Sequence, residues 1–444
     1  MKGPLSYAVF RAVFASQVFS LLGIGLLTVA LSLSAYSIGG KEAGGQVLGF
    51  LLALKMVAYV VLAPLAETAL AGRSRKSVMV LLDVGRMLLL LPMVFATEIW
   101  QIAALAFAFF ALSSAFTPLF QSVIPDILPD EDTYSRALAY SRVAYTLEAV
   151  LSPVVAAMVL RVVASESLFL FAAFSFVGSI TALVIARFPG DHVSDKRGSF
   201  LKRAAKGMNI YVRTPRLRGL FLINLALSLA MAWVLVNTAV YAGNRLGDPD
   251  YYYPILMASY GIGAALGAVL VPKMVRVAGE RRVMMSGAWI FAALGGMILL
   301  PLAISGLLAL WAGFGFASSL VLTPGGLVIA RSAAAGDRAS VFAAQFSLSH
   351  AGWLVAYPLA GWMSVWIGLE TALVTLSALC AMTVFVATRV WKASDTAELA
   401  HSHPELAPDH PHLKECHAVG PDNKHVHVFH IDALHPNWIK PCVA

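Results

Sequence analysis

Residues 187–218 read RFPGDHVSDKRGSFLKRAAKGMNIYVRTPRLR and divide the chain into two similar halves. This stretch holds nine Lys or Arg against two Asp, and long, mostly apolar sequences lie on each side of it. Each half separates into six hydrophobic runs of about 20 residues, the length that crosses a hydrocarbon core of about 30 Å. Two sets of six spans joined by a long basic loop predict two helical bundles connected on the cytoplasmic side of a membrane.

The hydropathy of the chain sets the boundaries of these spans. They lie near 10–36, 47–70, 77–96, 99–124, 134–160 and 166–187 in the first half, and near 218–243, 253–275, 283–303, 305–330, 339–366 and 368–391 in the second. We therefore predict an all-α membrane protein with 12 transmembrane helices in two six-helix bundles and a mostly disordered C-terminal tail. The predicted units are the N-terminal bundle (1–187), the basic cytoplasmic linker (188–217), the C-terminal bundle (218–392) and the His-rich cytoplasmic tail (393–444).

The composition excludes an ordinary soluble domain. Of the 444 residues, 59% are hydrophobic and 13% are charged, whereas soluble domains carry about 25% charged residues. The net charge of +8 arises mostly in the predicted cytoplasmic loops, so we expect a lipid bilayer and no nucleic acid as partner, and a monomer. The first apolar run is too long for a secretory signal, and three cysteines give no disulfide framework.

Within the linker, the segment Ser199–Tyr211 repeats apolar residues at helical spacing. This pattern predicts a short amphipathic helix that lies on anionic lipid headgroups. A charged loop surrounded by solvent is the alternative. The predicted apolar face consists of Phe200, Leu201, Ala204, Ala205, Met208 and Tyr211.

Basic residues alternate between the two ends of the predicted bundles. The loops at one end of the bundles contain only three basic residues, Lys41, Arg161 and Arg245. The remaining Lys and Arg residues of the loops lie at the opposite end. Because cytoplasmic loops carry the excess of Lys and Arg, we expect both termini in the cytoplasm and the chain in the plasma (inner) membrane. The acidic loop at 126–132 does not change this assignment, since Asp and Glu contribute little to the rule.

The last 52 residues, 393–444, differ in kind from the rest, because they are polar and hold nine of the eleven histidines. They contain too little apolar sequence for a core of their own, so we expect mostly disorder without a ligand. The stretch HVHVFHIDALHPNW alternates polar and apolar residues, and it could form a strand or hairpin.

Many tail histidines are two or three residues apart, which favours metal binding. Neutral imidazole binds Ni(II), Zn(II), Cu(II) and Co(II), and a thiolate makes such a site softer. A purification tag would be a consecutive run, whereas these histidines are interspersed with Pro, Asp and Glu. A transition-metal ion is therefore the expected tail ligand and substrate, and no cofactor is expected to be required. The candidate ligands are His401, His403, His410, His412, Cys416, His417, His425, His427, His430 and His435.

Several segments resemble a known family. The two six-helix halves, the basic central loop and the segment PLAETALAGRSRKSVMVLLDVGR resemble the major facilitator superfamily, although Pro64, Glu67 and Thr68 replace its usual Gly, Asp and Arg. The pair Asp83 and Arg86, the segment FTPLFQSVIPDILPDE and the LRGL after the linker resemble its multidrug and siderophore exporters.

More specific segments resemble one group of that branch. LKMVAYV, IPDILPDEDTYSRALAYSRVAYTLEAVLSP, QFSLSHAGWLVAYPLAGW and the histidine-rich tail are similar to the nickel-resistance exporters. The resemblance implies that two bundles alternate about a central site and that protons drive export.

Charged residues inside the spans are the candidate transport residues. Inserting a charged side chain at the centre of a membrane span costs about 2.5–3.5 kcal/mol, so each one needs a partner or a function. Arg142, Tyr145, Glu148 and Ser152 are three or four residues apart and form one polar stripe on the fifth span. Glu148 is the predicted proton-coupling carboxylate, and Lys55 on the second span is the predicted competing cation. The structural alternative is a static ion pair of Glu148 with Lys55 or Arg142.

His350 falls near the middle of the eleventh span. Imidazole titrates near neutral pH and binds transition metals, so His350 is a candidate for binding protons or substrate. A hydrogen-bonded packing residue is the alternative.

Asp83 and Arg86 lie near the cytoplasmic start of the third span and can pair on one helix face. With Arg73, Arg75 and Lys76 they resemble the cytoplasmic gate of the superfamily. A structural or gating role is favoured over contact with substrate.

The sequence contains no GxxxxGK[ST] phosphate loop, so an ATP-driven pump is not expected, and no nucleophile–base set suggests an enzyme. We predict a proton-coupled secondary exporter of a divalent transition-metal cation, nickel or cobalt, that confers metal resistance. Export of small organic compounds or siderophores is the alternative, and a metal sensor on an inactive transport scaffold is a third hypothesis.

The basic-residue pattern makes a testable prediction about topology. A peptide tag placed after Ala444 should not react with a membrane-impermeant label in intact cells, and it should react once the cells are permeabilised. A tag placed at Lys41 is the matched control, because that loop is predicted to face outward. Labelling of the Ala444 tag in intact cells would refute the assignment.

Overall fold

The computed structural model describes residues 3–62, 74–128, 131–188, 200–334, 337–393, 398–402, 424–432, 434–435 and 437–438. Twelve α-helices and two strands lie in these ranges. The helices are α1 (Ala8–Val57), α2 (Arg75–Met93), α3 (Ile99–Ile127), α4 (Glu131–Val159), α5 (Leu168–Ile185), α6 (Phe200–Arg213), α7 (Pro215–Tyr241), α8 (Pro249–Ala278), α9 (Glu280–Met297), α10 (Ile304–Ser332), α11 (Arg338–Ile367) and α12 (Leu369–Val390). The strands are β1 (Glu398–Ser402) and β2 (Lys424–Val428).

The long helix α1 consists of two arms that meet at Gly40. A straight helix of its 50 residues would be about 75 Å long, more than twice the thickness of a hydrocarbon core. The backbone leaves helical geometry at Gly40, where φ is 63° and ψ is −164°. Glycine adopts positive φ without the steric cost of a side chain, so the chain can turn here. The two arms, 8–39 and 41–57, therefore correspond to the first two predicted spans.

The predicted spans and the observed helices agree. Among the described residues, seven helical segments are long and apolar enough to cross a membrane by length and composition, and the first of them contains both arms of α1. The helices α2, α4, α9 and α11 supply the other four crossings of the predicted twelve. Residues 63–73, where the second predicted span ends, lie outside the described residues. The prediction of a 12-helix membrane fold is confirmed.

The two halves meet closely at the end of the bundles where Gly40 lies, which we call the Gly40 end. The second arm of α1 packs on α11, and a side chain on Gly361 would overlap the backbone of Gly45. A Cβ on Gly49 would come within 2.7 Å of the Tyr357 carbonyl oxygen. Small residues let helix backbones approach closely where no water is present to drive association, so these glycines close this end.

The amphipathic helix predicted in the linker is present as α6 (Phe200–Arg213). The inner part of its apolar face packs on protein, since Ile210 and Tyr211 are buried and the Tyr211 hydroxyl donates a hydrogen bond to Gln345 Oε1 of α11. Gly207 permits this contact, because a side chain there would overlap the Ser340 backbone of α11. The prediction that Tyr211 faces the bilayer is therefore wrong, because its side chain packs on α11.

The described part of the tail forms an antiparallel hairpin of β1 and β2. The strand at Lys424–Val428 agrees with the alternation in HVHVFHIDALHPNW, and residues 403–423 lie outside the described residues. Leu399, Phe429 and Ile431 are buried in the same apolar cluster as the helices of the second half. The hairpin is thus held against the end of the bundles opposite to Gly40, which we call the linker end.

The glycine contacts at the Gly40 end predict the effect of adding volume there. Gly361→Val should keep the halves apart at this end, so a cysteine placed at Ser364 should react faster with a soluble maleimide after the native cysteines are replaced. Gly296→Val is the matched control, because a Cβ on Gly296 meets no atom within 4 Å. Equal labelling rates in both variants would contradict the role of the close contact.

Candidate transport site

The carboxylate of Glu148 lies between the helices of the first half, on α4. Its side chain is half-buried and reaches the first arm of α1, where a Cβ on Gly25 would come within 2.6 Å of Glu148 Oε1. The same Cβ would overlap the hydroxyl of Ser152, one turn further along α4. Only glycine at position 25 therefore leaves room for this polar stripe between α1 and α4.

Lys55, on the second arm of α1, is the cation near Glu148. The two side chains interact electrostatically. They do not form an ion pair within 4.0 Å among the described residues. Instead, Lys55 Nζ lies 5.3 Å from the centroid of the Phe110 ring, a cation–π contact. The static Lys55–Glu148 pair is therefore absent from this structure, and the side chain of Arg142 lies outside the described residues.

His350, on α11, approaches this site from the second half. Its ring lies 5.7 Å from the Tyr59 ring at an angle of 12°, and 3.9 Å from the Phe346 ring. His350 Nδ1 lies 2.7 Å from the carbonyl oxygen of Phe346. A carbonyl only accepts hydrogen bonds, so Nδ1 carries the hydrogen and the lone pair of the neutral ring is on Nε2. His350 also interacts electrostatically with Lys55, so Lys55 couples to groups of both halves.

Tyrosines line the same region, and sequence reasoning missed most of them. Tyr59 interacts electrostatically with Tyr145, the one tyrosine of the predicted stripe. Tyr260, on α8, interacts with Glu148 and shares a 3.0 Å hydrogen bond with the hydroxyl of Ser318. The signal was available, since a phenol inside an apolar span needs a hydrogen-bond partner and therefore marks a polar region.

The arrangement places one carboxylate, one ammonium and one imidazole where the halves meet. A carboxylate binds a proton or a metal cation, and it cannot hold both at full strength. The rings around it offer apolar faces, which also suit flat organic molecules. The geometry thus fits a site that exchanges protons for a cargo.

Asp83 and Arg86 form a buried ion pair inside the first half. Ser179 donates a 2.6 Å hydrogen bond to Asp83 Oδ2, and Arg86 donates a 3.1 Å hydrogen bond to Ser20. The Arg86 guanidinium also lies 4.2 Å from the centroid of the Phe116 ring. Each of these partners belongs to the first half, so the contacts favour holding that bundle together over bridging the two halves.

The basic cluster beside this pair is described in part. Lys76 Nζ donates hydrogen bonds of 2.7 Å to the carbonyl oxygens of Val184 and Ala186, at the C-terminal end of α5. A cation there stabilises the unpaired carbonyl groups and the negative end of the helix dipole. Arg75 begins α2, and Arg73 lies outside the described residues, so the gating role of the cluster stays a prediction.

Four of the ten tail ligand candidates have described side chains: His401, His425, His430 and His435. No group of three or more His, Cys, Asp or Glu side chains in the described part of the chain is arranged to hold a metal ion. The side chain of His427 and the other five candidates, His403, His410, His412, Cys416 and His417, lie outside that part.

A polar cavity of 540 Å³ lies at the Gly40 end and not beside Glu148. Lys41, Glu42, Arg245 and Glu370 contribute charges to its wall, and Arg245 donates a 2.6 Å hydrogen bond to Glu370. Asn237, buried at its base, donates a 3.2 Å hydrogen bond to the Ala360 carbonyl oxygen. This bond joins α7 to α11, so it agrees with the interhelical role expected of an asparagine in a span.

Residues 13–276 match the Major Facilitator Superfamily. The chain belongs to this superfamily. It is 23% identical to macrolide efflux protein A of Streptococcus pyogenes over 310 residues, which cover 67% of this chain and 73% of that protein.

Solved structures share the fold. The nucleoside transporter NupG superposes with a TM-score of 0.70 at 11% identity, covering 87% of this chain and 100% of that one. A bacterial homolog of the human lysosomal transporter Spinster superposes with a TM-score of 0.65 at 16% identity, covering 89% of this chain and 100% of that one. The human organic anion transporter MFSD10 superposes with a TM-score of 0.63 at 17% identity, covering 86% of this chain and 99% of that one.

These comparisons establish a multi-pass membrane transporter of the secondary type. The distant similarity to an efflux protein agrees with the exporter branch of the superfamily that the sequence resembles. The similarity to nickel-resistance exporters and the metal cargo stay predictions.

The buried pair in the first half makes a prediction about stability. Asp83→Asn leaves the Arg86 guanidinium buried without its carboxylate, which should cost about 3–5 kcal/mol of stability. The exposed Arg245–Glu370 pair is the control, because Glu370→Gln should cost about 0–1 kcal/mol. Thermal unfolding in detergent compares the two variants, and equal midpoints would show that the buried pair is not a structural element.

Proposed function

We propose that this transporter exports a divalent transition-metal cation, nickel or cobalt, in exchange for protons. The observation that carries the proposal is that Glu148 and His350, from opposite halves, both interact electrostatically with Lys55, and that Lys55 forms no ion pair with Glu148 within 4.0 Å among the described residues. Carboxylate oxygen and imidazole nitrogen are both ligands of Ni(II) and Co(II). The chain lies in the plasma (inner) membrane with both termini in the cytoplasm.

Competition at one carboxylate couples the two ions. When the site opens to the cytoplasm, ionised Glu148 attracts the metal cation, with His350 Nε2 as a second ligand. When the site opens outward, a proton from outside replaces the metal on Glu148. Lys55 stabilises the ionised carboxylate while the site is empty, and it must move away as the metal arrives, because the two cations repel each other.

The halves supply the movement. Tightly packed glycines close the Gly40 end in this structure, so rocking the bundles apart there would expose the site on the other side of the membrane. The tail at the linker end supports the proposal, because its histidines would collect metal on the cytoplasmic side and raise its concentration near the entrance. Asp83, Arg86, Arg75 and Lys76 keep the first half rigid during this motion.

Export of small organic compounds is the second candidate. Two observations favour it: Tyr59, Tyr260 and Phe346 border the site, and the chain is similar to a macrolide efflux protein. In this case, Glu148 would pair with a cationic or hydroxylated compound, and the tail would not take part.

The proposal predicts the behaviour of Glu148→Gln. The amide keeps the shape of the side chain but neither titrates nor binds a cation strongly, so proton-driven export should be lost at unchanged membrane level. Metal-induced proton release from proteoliposomes measures the coupling. Glu166→Gln, outside the spans that carry the site, is the matched control and should export normally.

The cargo is tested with the same variants. A sensitive host expressing the protein should tolerate more Ni(II) or Co(II), and Glu148→Gln and His350→Ala should abolish the gain. Tolerance to macrolides or dyes without tolerance to metals would instead establish the organic cargo. Unchanged coupling in Glu148→Gln would place the coupling group elsewhere.

A further inference from the structure

The tail hairpin brings three imidazole rings together away from the transport site. In the ladder of β1 and β2, His401 is the partner of His425. The turn after β2 adds His435, whose ring centroid lies 4.8 Å from that of His401. The three rings are 6%, 1% and 3% exposed, in that order. A buried polar ring requires hydrogen-bond partners. The partners of the His401 and His435 nitrogens indicate where each ring carries its hydrogen.

The Nδ1 atoms of two rings have acceptor partners. His401 Nδ1 lies 3.1 Å from the Leu399 carbonyl oxygen, and His435 Nδ1 lies 2.9 Å from Asp432 Oδ1. Neither oxygen donates a hydrogen bond, so each Nδ1 carries a hydrogen and the lone pair of each neutral ring is on Nε2.

The two Nε2 atoms face each other at 3.0 Å. Two lone pairs at this distance repel each other unless a cation lies between them, either a proton or a metal ion. Two nitrogen ligands about 2.0–2.1 Å from one ion are about 2.9–3.4 Å apart at ligand–metal–ligand angles of 90–109°. The observed separation therefore matches that of two neighbouring ligands of one metal ion.

Asp432 is held in place as the outer carboxylate of this pair. Its Oδ1 accepts hydrogen bonds from the backbone N–H groups of Leu434 and His435, at 2.9 and 2.7 Å. A carboxylate on the far nitrogen orients a ligating imidazole and increases its basicity.

We propose that His401 and His435 bind one divalent transition-metal ion through their Nε2 atoms, with Asp432 as the outer-shell carboxylate. Imidazole ligands select Ni(II), Co(II), Cu(II) or Zn(II) over Mg(II) and Ca(II), which prefer oxygen. The pair supplies two ligands, and water or other tail side chains complete the coordination. The inference rests on the proposed function only for the choice of nickel or cobalt, because binding does not require transport.

The site is attached to the bundles. The Phe429 ring lies 4.7 Å from the His435 ring and 5.1 Å from the Trp438 ring. Trp438 in turn lies 5.0 Å from the guanidinium of Arg216, near the start of α7. A metal ion bound by His401 and His435 would therefore be held at the linker end, where a cytoplasmic cation enters under the proposed function.

Metal titration of the full-length protein tests the site. The purified chain in detergent, stripped with a chelator, is titrated with NiCl₂ alone and then with CoCl₂, whose d–d absorption reports its ligands. His401→Ala and His435→Ala should each remove the tightest binding event. Asp432→Asn keeps both ligands and should weaken it about 10–100-fold. His192→Ala is the matched control, since it removes a linker histidine that is not among the candidate metal ligands.

The outcomes separate this site from the transport proposal. Unchanged tight binding in His401→Ala, His435→Ala and Asp432→Asn, or no tight site in the unmodified protein, would overturn the inference and leave a pair that shares only a proton. An unchanged Co(II) spectrum in Asp432→Asn would remove the carboxylate from the site. Glu148→Gln should retain tight tail binding, so normal export by that variant would contradict the transport proposal and leave the tail site standing.

Discussion

A hydrocarbon core offers no water to polar groups, so every charge inside this protein needs a partner of its own. Asp83 and Arg86 meet this constraint by pairing with each other and by hydrogen bonds to serines of neighbouring helices, although Arg86 Nε has no hydrogen-bond partner among the described residues. Lys55 and Glu148 do not, since they interact electrostatically without forming an ion pair. The first pair gains nothing by separating, whereas the second can take a ligand. The contrast distinguishes a structural pair from the two residues that we propose as the ion-exchange site.

Close packing decides where such charges can lie. Gly25 leaves the space that Glu148 and Ser152 occupy between α1 and α4. Gly45 and Gly361 let α1 and α11 touch through their backbones, which closes one end of the bundles. A methyl group at any of these positions would overlap backbone or polar atoms, so the helices can pack this closely only because the residues are glycines. The small volume of Gly25 thus makes room for Glu148 and Ser152, and that of Gly45 and Gly361 allows the close contact at the Gly40 end.

The fold was largely predictable from the sequence, because the length of an apolar run and the alternation of basic loops follow directly from the bilayer. Glu148 and Lys55 were predictable for the same reason, since charge is conspicuous in an apolar span. Their failure to pair was not, because it depends on helix positions that hydropathy does not report. Phe346 was missed, since aromatic residues are common in spans and only the packing shows which of them border the site. Tyr260 was missed although its phenol group marks a polar position in an apolar span.

The tail shows a different limit of sequence reasoning. The number of histidines in the tail predicts metal binding, but composition does not show which of them would be ligands. The hairpin selects two, since the ladder and the following turn bring His401 and His435 together although 34 residues separate them. Hydrogen bonds from both Nδ1 atoms then fix where the lone pairs point. Because Trp438 holds this hairpin against Arg216, a contact worth up to about 2 kcal/mol when desolvated, ordering the hairpin around a metal ion would favour its attachment to α7. Under the metal site that we propose for the tail, metal binding and the attachment of the hairpin to α7 would be linked equilibria, so each would favour the other.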